Sequence, residues 1–244
     1  MTLLDTLPSI GDAIGHAAPP LWARARGRAP AGVVDEADFR DRARRWRNAL
    51  RGARVVYFGR SPLTAGVARF AREEGLGIGV RSDGELAVAL AAGTDPARIV
   101  AHPGSPGLLR DAVGVGVGRI VLDSPLEAPH VAGPARRGSA RTTFGLVGLH
   151  CRPDPAGNRA GGASARYGEA IRRTITAMAD VRARQGVILT ELHVGGNQAG
   201  PHVGGGPEPG ADELAAVIED ALDEACAAEH FPRPVVAVGV TLTA

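Results

Sequence analysis

Apolar positions along this chain recur with two alternating periods. Between Asp35 and Arg51, the residues Phe39, Ala43, Trp46 and Leu50 share one face at helical spacing, and Asp35 is placed to cap the helix. The run Val55-Val56-Tyr57-Phe58 follows, short and unbroken, as expected of a strand buried on both faces. Ser61-Pro62, a capping serine before a proline at the first helical position, predicts a helix over 63–74 that Gly75 ends. A strand at 78–80 and a helix opened by the capping box Ser82-Asp83-Gly84-Glu85 and stopped at Gly93 repeat the unit. Further strands are predicted at 99–102, 119–123, 146–151, 189–194 and 235–242, with long helices near 166–185 and 211–229.

Short apolar strands separated by amphipathic helices imply an α/β protein with a parallel sheet covered by helices. This many units favours a closed, TIM-like (β/α) barrel. The strand count reaches seven rather than eight. Between Asp123 and Leu146 the chain carries Pro125, Pro129, Pro134 and Gly138, which leaves no room for a full βα unit, so the barrel is expected to be shortened and irregularly closed. Residues 1–34 are Pro/Ala/Arg-rich and weakly periodic and read as an extended lead-in to a barrel domain over 35–244.

Composition adds three constraints. The 244 residues carry mixed charge with a net of +2, as a globular domain does. No long apolar run and no basic start followed by an apolar stretch is present, so neither a membrane span nor a signal peptide is predicted, and a cytoplasmic location is expected. Cys151 and Cys226 are too few for a disulfide framework and read as free thiols. A further constraint is chemical: all 28 basic residues are arginines and there is no lysine. A Schiff base needs a primary amine that can shed its proton, and a guanidinium stays protonated, so no side chain here can form one. The arginines between Arg24 and Arg54 could attract nucleic acid. Asp35, Glu36, Asp38 and Asp41 interleave with them and no aromatic platform accompanies them, so a solvated helix face is the expectation and no nucleic-acid partner is predicted.

The order of motifs resembles the diaminopimelate, ornithine and arginine decarboxylases, the fold-type III pyridoxal-phosphate (PLP) family with an alanine-racemase-like barrel. Asp35-Glu36-Ala37 resembles the family's opening Y-D-E, Ser82-Asp83-Gly84-Glu85-Leu86 its S-G-G-E-L, and Gly148-Leu149-His150-Cys151 its G-L-H-C-H. The stretch 192–196 resembles L-D-L-G-G-G, and Phe231-Pro232-Arg233-Pro234 precedes the last strand as in the family. The resemblance implies a PLP-binding barrel, and the departures fall on its chemistry. Arg60 stands where the family has the Schiff-base lysine. Arg152-Pro153-Asp154-Pro155 replaces the ring-stacking histidine and the phosphate-binding serine. Ala237-Val238-Gly239-Val240 replaces the E-P-G-R whose glutamate serves the pyridine nitrogen, Asn197 the third glycine of the phosphate loop, and Gly79 an aspartate. The family continues beyond the equivalent of Ala244 into a C-terminal β domain, so a barrel without that domain is expected.

From these departures the expectation is that PLP binding is lost and no cofactor is used, weak non-covalent binding aside. Arg60, Arg152, Gly195 and Gly196 would line a remnant pocket able to take an anion. Glu191, His193 and His150, at predicted strand ends with His102, are the candidate catalytic groups. The competing reading is that the histidines are inherited and hydrogen-bonded in a polar barrel interior. No metal ligand set is assigned. Cys151 as a nucleophile is disfavoured because the family carries a cysteine there without such a role. The function expected is that of a binding or partner protein in amino-acid or specialised metabolism, without PLP-dependent activity. The alternative is a cofactor-free or metal-assisted enzyme reusing the barrel mouth for a small anionic or amino-acid-derived metabolite. Partners expected are such a metabolite and a second copy or another protein, with no membrane.

Overall fold

The computed structural model describes residues 34–58, 63–103, 105–124, 146–153, 162–195 and 209–242. The lead-in, apart from Val34, and positions Arg60 and Gly196 lie outside them. Helix α1 (Glu36–Ala49) begins where Asp35 predicts: its carboxylate accepts from the backbone N–H groups of Ala37 and Asp38. Phe39, Ala43 and Leu50 are buried as the spacing requires, and Trp46 packs at the edge of the core. Phe39 meets the rings of Tyr57 and Phe70 at centroid distances of 5.5 and 5.9 Å. The arginines of α1 stand on its solvated face, as expected, with Arg44, Arg45 and Arg47 exposed, and several of them also tie the helix to the rest of the fold. Arg40 pairs with Glu36, Glu73 and Glu74, Arg44 with Glu74, and Arg47 donates to the Glu74 carbonyl. Glu74 is buried, and the hydrogen bond from Arg44, against the opposing effect of burial and with help from Arg40, holds its carboxyl below the usual range.

The remaining elements alternate as expected: β1 (Arg54–Tyr57), α2 (Ala65–Glu73), β2 (Gly77–Val80), α3 (Asp83–Ala91), β3 (Ile99–Ala101), α4 (Pro106–Gly114), β4 (Arg119–Leu122), β5 (Leu146–Cys151), α5 (Gly162–Gln185), β6 (Glu191–Gly195), α6 (Ala211–Ala228) and β7 (Val235–Val240). Two local expectations need correction. The cap of α2 is Thr64, whose hydroxyl accepts from the Val67 N–H, so the helix opens later than Ser61-Pro62 implied, and those two residues lie outside the described ones. Helix α4 was not predicted, although Ser105-Pro106 carries the very signal read at Ser61-Pro62. Ser105 Oγ accepts from the Leu108 N–H, with proline in the first turn. In the box before α3, Ser82 accepts from Glu85 N–H as expected, while the Glu85 carboxylate takes the N–H of Arg81.

All seven strands are parallel and close into a barrel in sequence order, with β7 against β1. Strands β4 and β5 pair directly, with a register shift between Ile120 and Val121 that absorbs the irregular closure. One core lies between strands and helices. A second, made by Val56, Phe58, Val100, Val121 and Ala237, fills the barrel itself. Two glycines make so tight an interior possible. A Cβ on Gly148 would lie 1.9 Å from the Glu191 carbonyl oxygen, so only glycine lets β5 and β6 approach there. A Cβ on Gly79 would lie 2.0 Å from the ring of Phe58, which crosses the barrel over β2.

That packing yields a double-mutant test. Gly79→Ala overpacks the interior and is expected to cost about 1–3 kcal/mol, whereas in a Phe58→Ala background the same change costs little. Urea unfolding of the four proteins measures the coupling; additive costs would show that Phe58 does not occupy this space.

Candidate active site at the barrel mouth

Side chains alternate along a strand and rise by about 3.3 Å per residue, so β6 sends both Glu191 and His193 inward but at different depths. They meet: His193 Nε2 lies 3.0 Å from Glu191 Oε2. Glu191 opens its strand, as Arg54 and Arg119 open β1 and β4, and both guanidiniums converge on its Oε1, Arg119 at 3.0 Å. Arg119 also donates to the Ala97 carbonyl. Burial pushes the Glu191 carboxyl up, but the hydrogen bond and charge of His193 and then those of Arg119 outweigh it and bring the group down to about 2. Burial lowers His193, so the neutral imidazole donates to a carboxylate whose charge the arginines compensate.

This cluster sits at the N-terminal face of the barrel. A cavity of about 310 Å³ opens there, lined by Arg54, Arg98, Arg119 and His193 among others. Barrel enzymes react at the opposite end, where the strands finish, and use the N-terminal face for stability. The expectation that Glu191 and His193 join His150 at one catalytic mouth therefore fails for Glu191, which belongs to a structural ion-pair network.

The C-terminal mouth is built by other residues. His102 follows β3, Asp123 follows β4, and His150 lies near the end of β5. His150 Nδ1 is 2.9 Å from Asp123 Oδ1, and its Nε2 donates to the backbone carbonyl of Gly195. The His102 ring stands edge-on to Phe58, His150 and His193 at 4.7, 5.0 and 5.9 Å between centroids. His102 is 4% exposed, and burial pushes its imidazole down to about 4. Asp123 is half-exposed, and the imidazoles of His102 and His150 beside it hold its carboxyl well below the carboxylate range. The structure thus places His150 against Gly195, which takes part through its carbonyl rather than its N–H. Arg152, two residues past His150, is exposed. Asp123 was missed as a site residue, although it follows a predicted strand just as His102 does. Cys151 points away from the barrel interior, fully buried, and burial pushes its thiol up to about 12, which removes it as a nucleophile.

Residues 36–153 match the family model of the pyridoxal-dependent decarboxylase, pyridoxal-binding domain. This segment, just under half of the chain, is similar to the pyridoxal-binding domain of that decarboxylase family. A diaminopimelate decarboxylase of Actinosynnema pretiosum is 29% identical over 301 aligned residues, covering 96% of this chain and 67% of that protein. Because the alignment runs over more positions than the 244 residues of the chain, it contains segments that the chain lacks, in keeping with a shortened barrel. The diaminopimelate decarboxylase of Mycobacterium leprae is 46% identical over 101 residues, 40% of this chain and 21% of that protein. Among solved structures, the diaminopimelate decarboxylase of M. jannaschii in complex with L-lysine superposes with a TM-score of 0.64 at 14% identity, covering 86% of this chain and 61% of that one. The chain thus spans about two thirds of one relative and about a fifth of the other.

The family match overturns one expectation. The absence of any cofactor was inferred from lost side chains, yet the segment that carries Arg60 and Arg152 matches a pyridoxal-binding domain as a whole. PLP is the cofactor this fold implies. The described mouth fits it in part: His102, His150 and Asp123 present polar groups, one of them a buried nitrogen without a hydrogen-bond partner among the described residues, but no side-chain amine is available for a covalent link. Among the described residues no helix is long and apolar enough to cross a membrane.

The separation of the two polar clusters has a measurable consequence. Glu191→Gln leaves Arg54 and Arg119 without a countercharge and is expected to cost about 1–3 kcal/mol at pH 7. Because the Glu191 carboxyl lies lower in the fold than in the unfolded chain, its contribution is complete above about pH 4.5 and fades as pH falls toward about 2. Urea unfolding across that range should show the two proteins converging in acid. Equal stability at every pH would mean that the network does not hold the barrel base.

Proposed function

We propose that this chain is a decarboxylase-family barrel that binds a small anionic or amino-acid-derived metabolite at its C-terminal mouth, and that it does not decarboxylate through a covalent cofactor link of its own. The observation that carries this reading is the absence of lysine from all 244 residues. Arginine cannot stand in, because its delocalised cation has no free amine at physiological pH. The binding half of the reading draws support from the polar groups gathered where the strands end, His102, Asp123, His150 and the Gly195 carbonyl, with exposed Arg152 two residues beyond His150 in the chain.

PLP falls within this ligand class. When bound it supplies an electron-withdrawing ring. The chain's own residues would hold it by a hydrogen bond from the His102 imidazole, with His150, tied to Asp123 and the Gly195 carbonyl, shaping the mouth and Phe58 walling the pocket toward β2. Asp123 is ionised and keeps His150 oriented, so it repels a phosphate brought directly against it and favours a cationic or hydrogen-bond-donating group there.

The test uses the full chain incubated with PLP. Equilibrium dialysis should show PLP retained and the retention weakened roughly tenfold or more by His150→Ala. After borohydride reduction, intact mass and peptide mapping should show no adduct on any side chain, and diaminopimelate should release no carbon dioxide. An internal adduct, or decarboxylation by the isolated chain, would overturn the proposal.

A further inference from the structure

We infer that His102, Asp123 and His150 form a binding site for a divalent first-row transition-metal ion at the C-terminal mouth of the barrel. One donor atom from each lies within 4.8 Å of the other two. Asp123 Oδ1 is 2.9 Å from His150 Nδ1 and 3.7 Å from His102 Nδ1. These values bracket the roughly 3.4 Å edge of a tetrahedron with metal–ligand bonds of about 2.1 Å, so small side-chain shifts bring all three onto one ion. Two imidazole nitrogens and one carboxylate form a set suited to zinc, cobalt or iron(II), and a poor one for calcium or magnesium, which take mainly oxygen.

Two features aim these groups at a common point. The first is the hydrogen-bond pattern of His150. The Gly195 carbonyl only accepts, so Nε2 carries a proton, and Nδ1 is the ring atom turned toward the Asp123 carboxylate. A proton can sit between those two atoms, and a metal ion can take its place. The Gly195 contact is also what a metal-bound histidine needs, since a backbone carbonyl on the far nitrogen fixes the tautomer and aims the ligand. The second feature is His102. It is enclosed, and its Nδ1 lies 3.7 Å from Asp123 Oδ1, beyond hydrogen-bond distance, so that atom faces the cluster without a hydrogen bond to Asp123. Burial also disfavours its charged form, and a ligand must be neutral.

With three protein ligands the ion keeps at least one open position, and the half-exposed Asp123 marks the side open to solvent. A carboxylate or phosphate oxygen of a bound metabolite can complete it. The ion would use the same side chains as the ligand reading above, but it needs neither PLP nor substrate to bind, so its retention is measured without either.

The experiment strips the full-length protein with a chelator and returns Co²⁺ and, separately, Zn²⁺. Expected are visible cobalt bands of a nitrogen- and oxygen-ligated centre, about one Zn²⁺ retained per chain in dialysis, and a rise in Tm with added Zn²⁺. Asp123→Asn and His150→Ala should each weaken Zn²⁺ retention tenfold or more and abolish the Tm rise. Circular dichroism confirms that Asp123→Asn, at a half-exposed position, keeps the fold. Failure of the wild-type protein to retain either ion would overturn the site. So would retention that both variants leave unchanged, which would place the ion elsewhere, for example at Cys226.

Discussion

Pairing of β7 with β1 is the contact on which the rest of the molecule depends. It runs over four residue pairs, from Arg54 with Ala237 to Tyr57 with Val240. Beyond them the Phe58 N–H donates to the Val240 carbonyl, and the Thr241 hydroxyl donates to the Phe58 carbonyl. Closing seven strands rather than eight narrows the interior, since barrel diameter grows with strand number. The narrowness explains why glycine stands at 79 and 148, why Phe58 can cross over β2, and why β4 and β5 meet with a register shift. It also brings side chains from β3, β4, β5 and β6 within contact of one another, which an open sheet would spread along a surface.

The interior that results is polar at both ends and apolar between. At the base, the charge of Glu191 is balanced by Arg54 and Arg119, and His193 extends that network inward. At the mouth, Asp123 gathers two imidazoles, and His102 links the two ends by standing edge-on to both His150 and His193. The base has two cations for one carboxylate and fully satisfied partners, which is the signature of a structural cluster. Among the described residues the mouth has one carboxylate, two imidazoles and a buried nitrogen without a hydrogen-bond partner, so its polar groups are not completed by those residues. An unfinished cluster at the end of the strands is where a ligand has most to gain.

The fold was legible in the sequence because burial on both faces of a parallel strand leaves a continuous apolar run, and caps such as Asp35 and Ser82 punctuate it. Most boundaries moved by one or two residues, and α5 opens four residues earlier than its apolar spacing implied. Helix α4 was missed because 106–114 is short and carries three glycines or prolines in nine residues, which hides its buried face of Leu108 and Ala112. The site was legible only in part. Periodicity places Glu191 and His193 on one side of a strand but says nothing of which end of the barrel each occupies, and depth is what separates an ion pair from a reacting group. Asp123 was hidden for a related reason: a carboxylate after a strand is unremarkable until β4 and β5 are known to be neighbours, and only closure with a missing βα unit makes them so.

The lysine and the family match bear on different quantities. A family model, and 46% identity over 101 residues with a mycobacterial decarboxylase, reflect the whole pattern of core positions, caps and turns that builds a pyridoxal-binding barrel. Most of that pattern is packing, and it survives the change of any one reactive side chain. A covalent link rests on one amine, and the chain has none on any side chain. Inferring an empty pocket from the missing amine therefore confused the anchor with the cavity: ring, phosphate and carboxylate groups bind through contacts that do not need a Schiff base. What the missing lysine removes is a side-chain amine, while the strand ends that bring His102, Asp123 and His150 together remain, with one donor atom of each within 4.8 Å of the others.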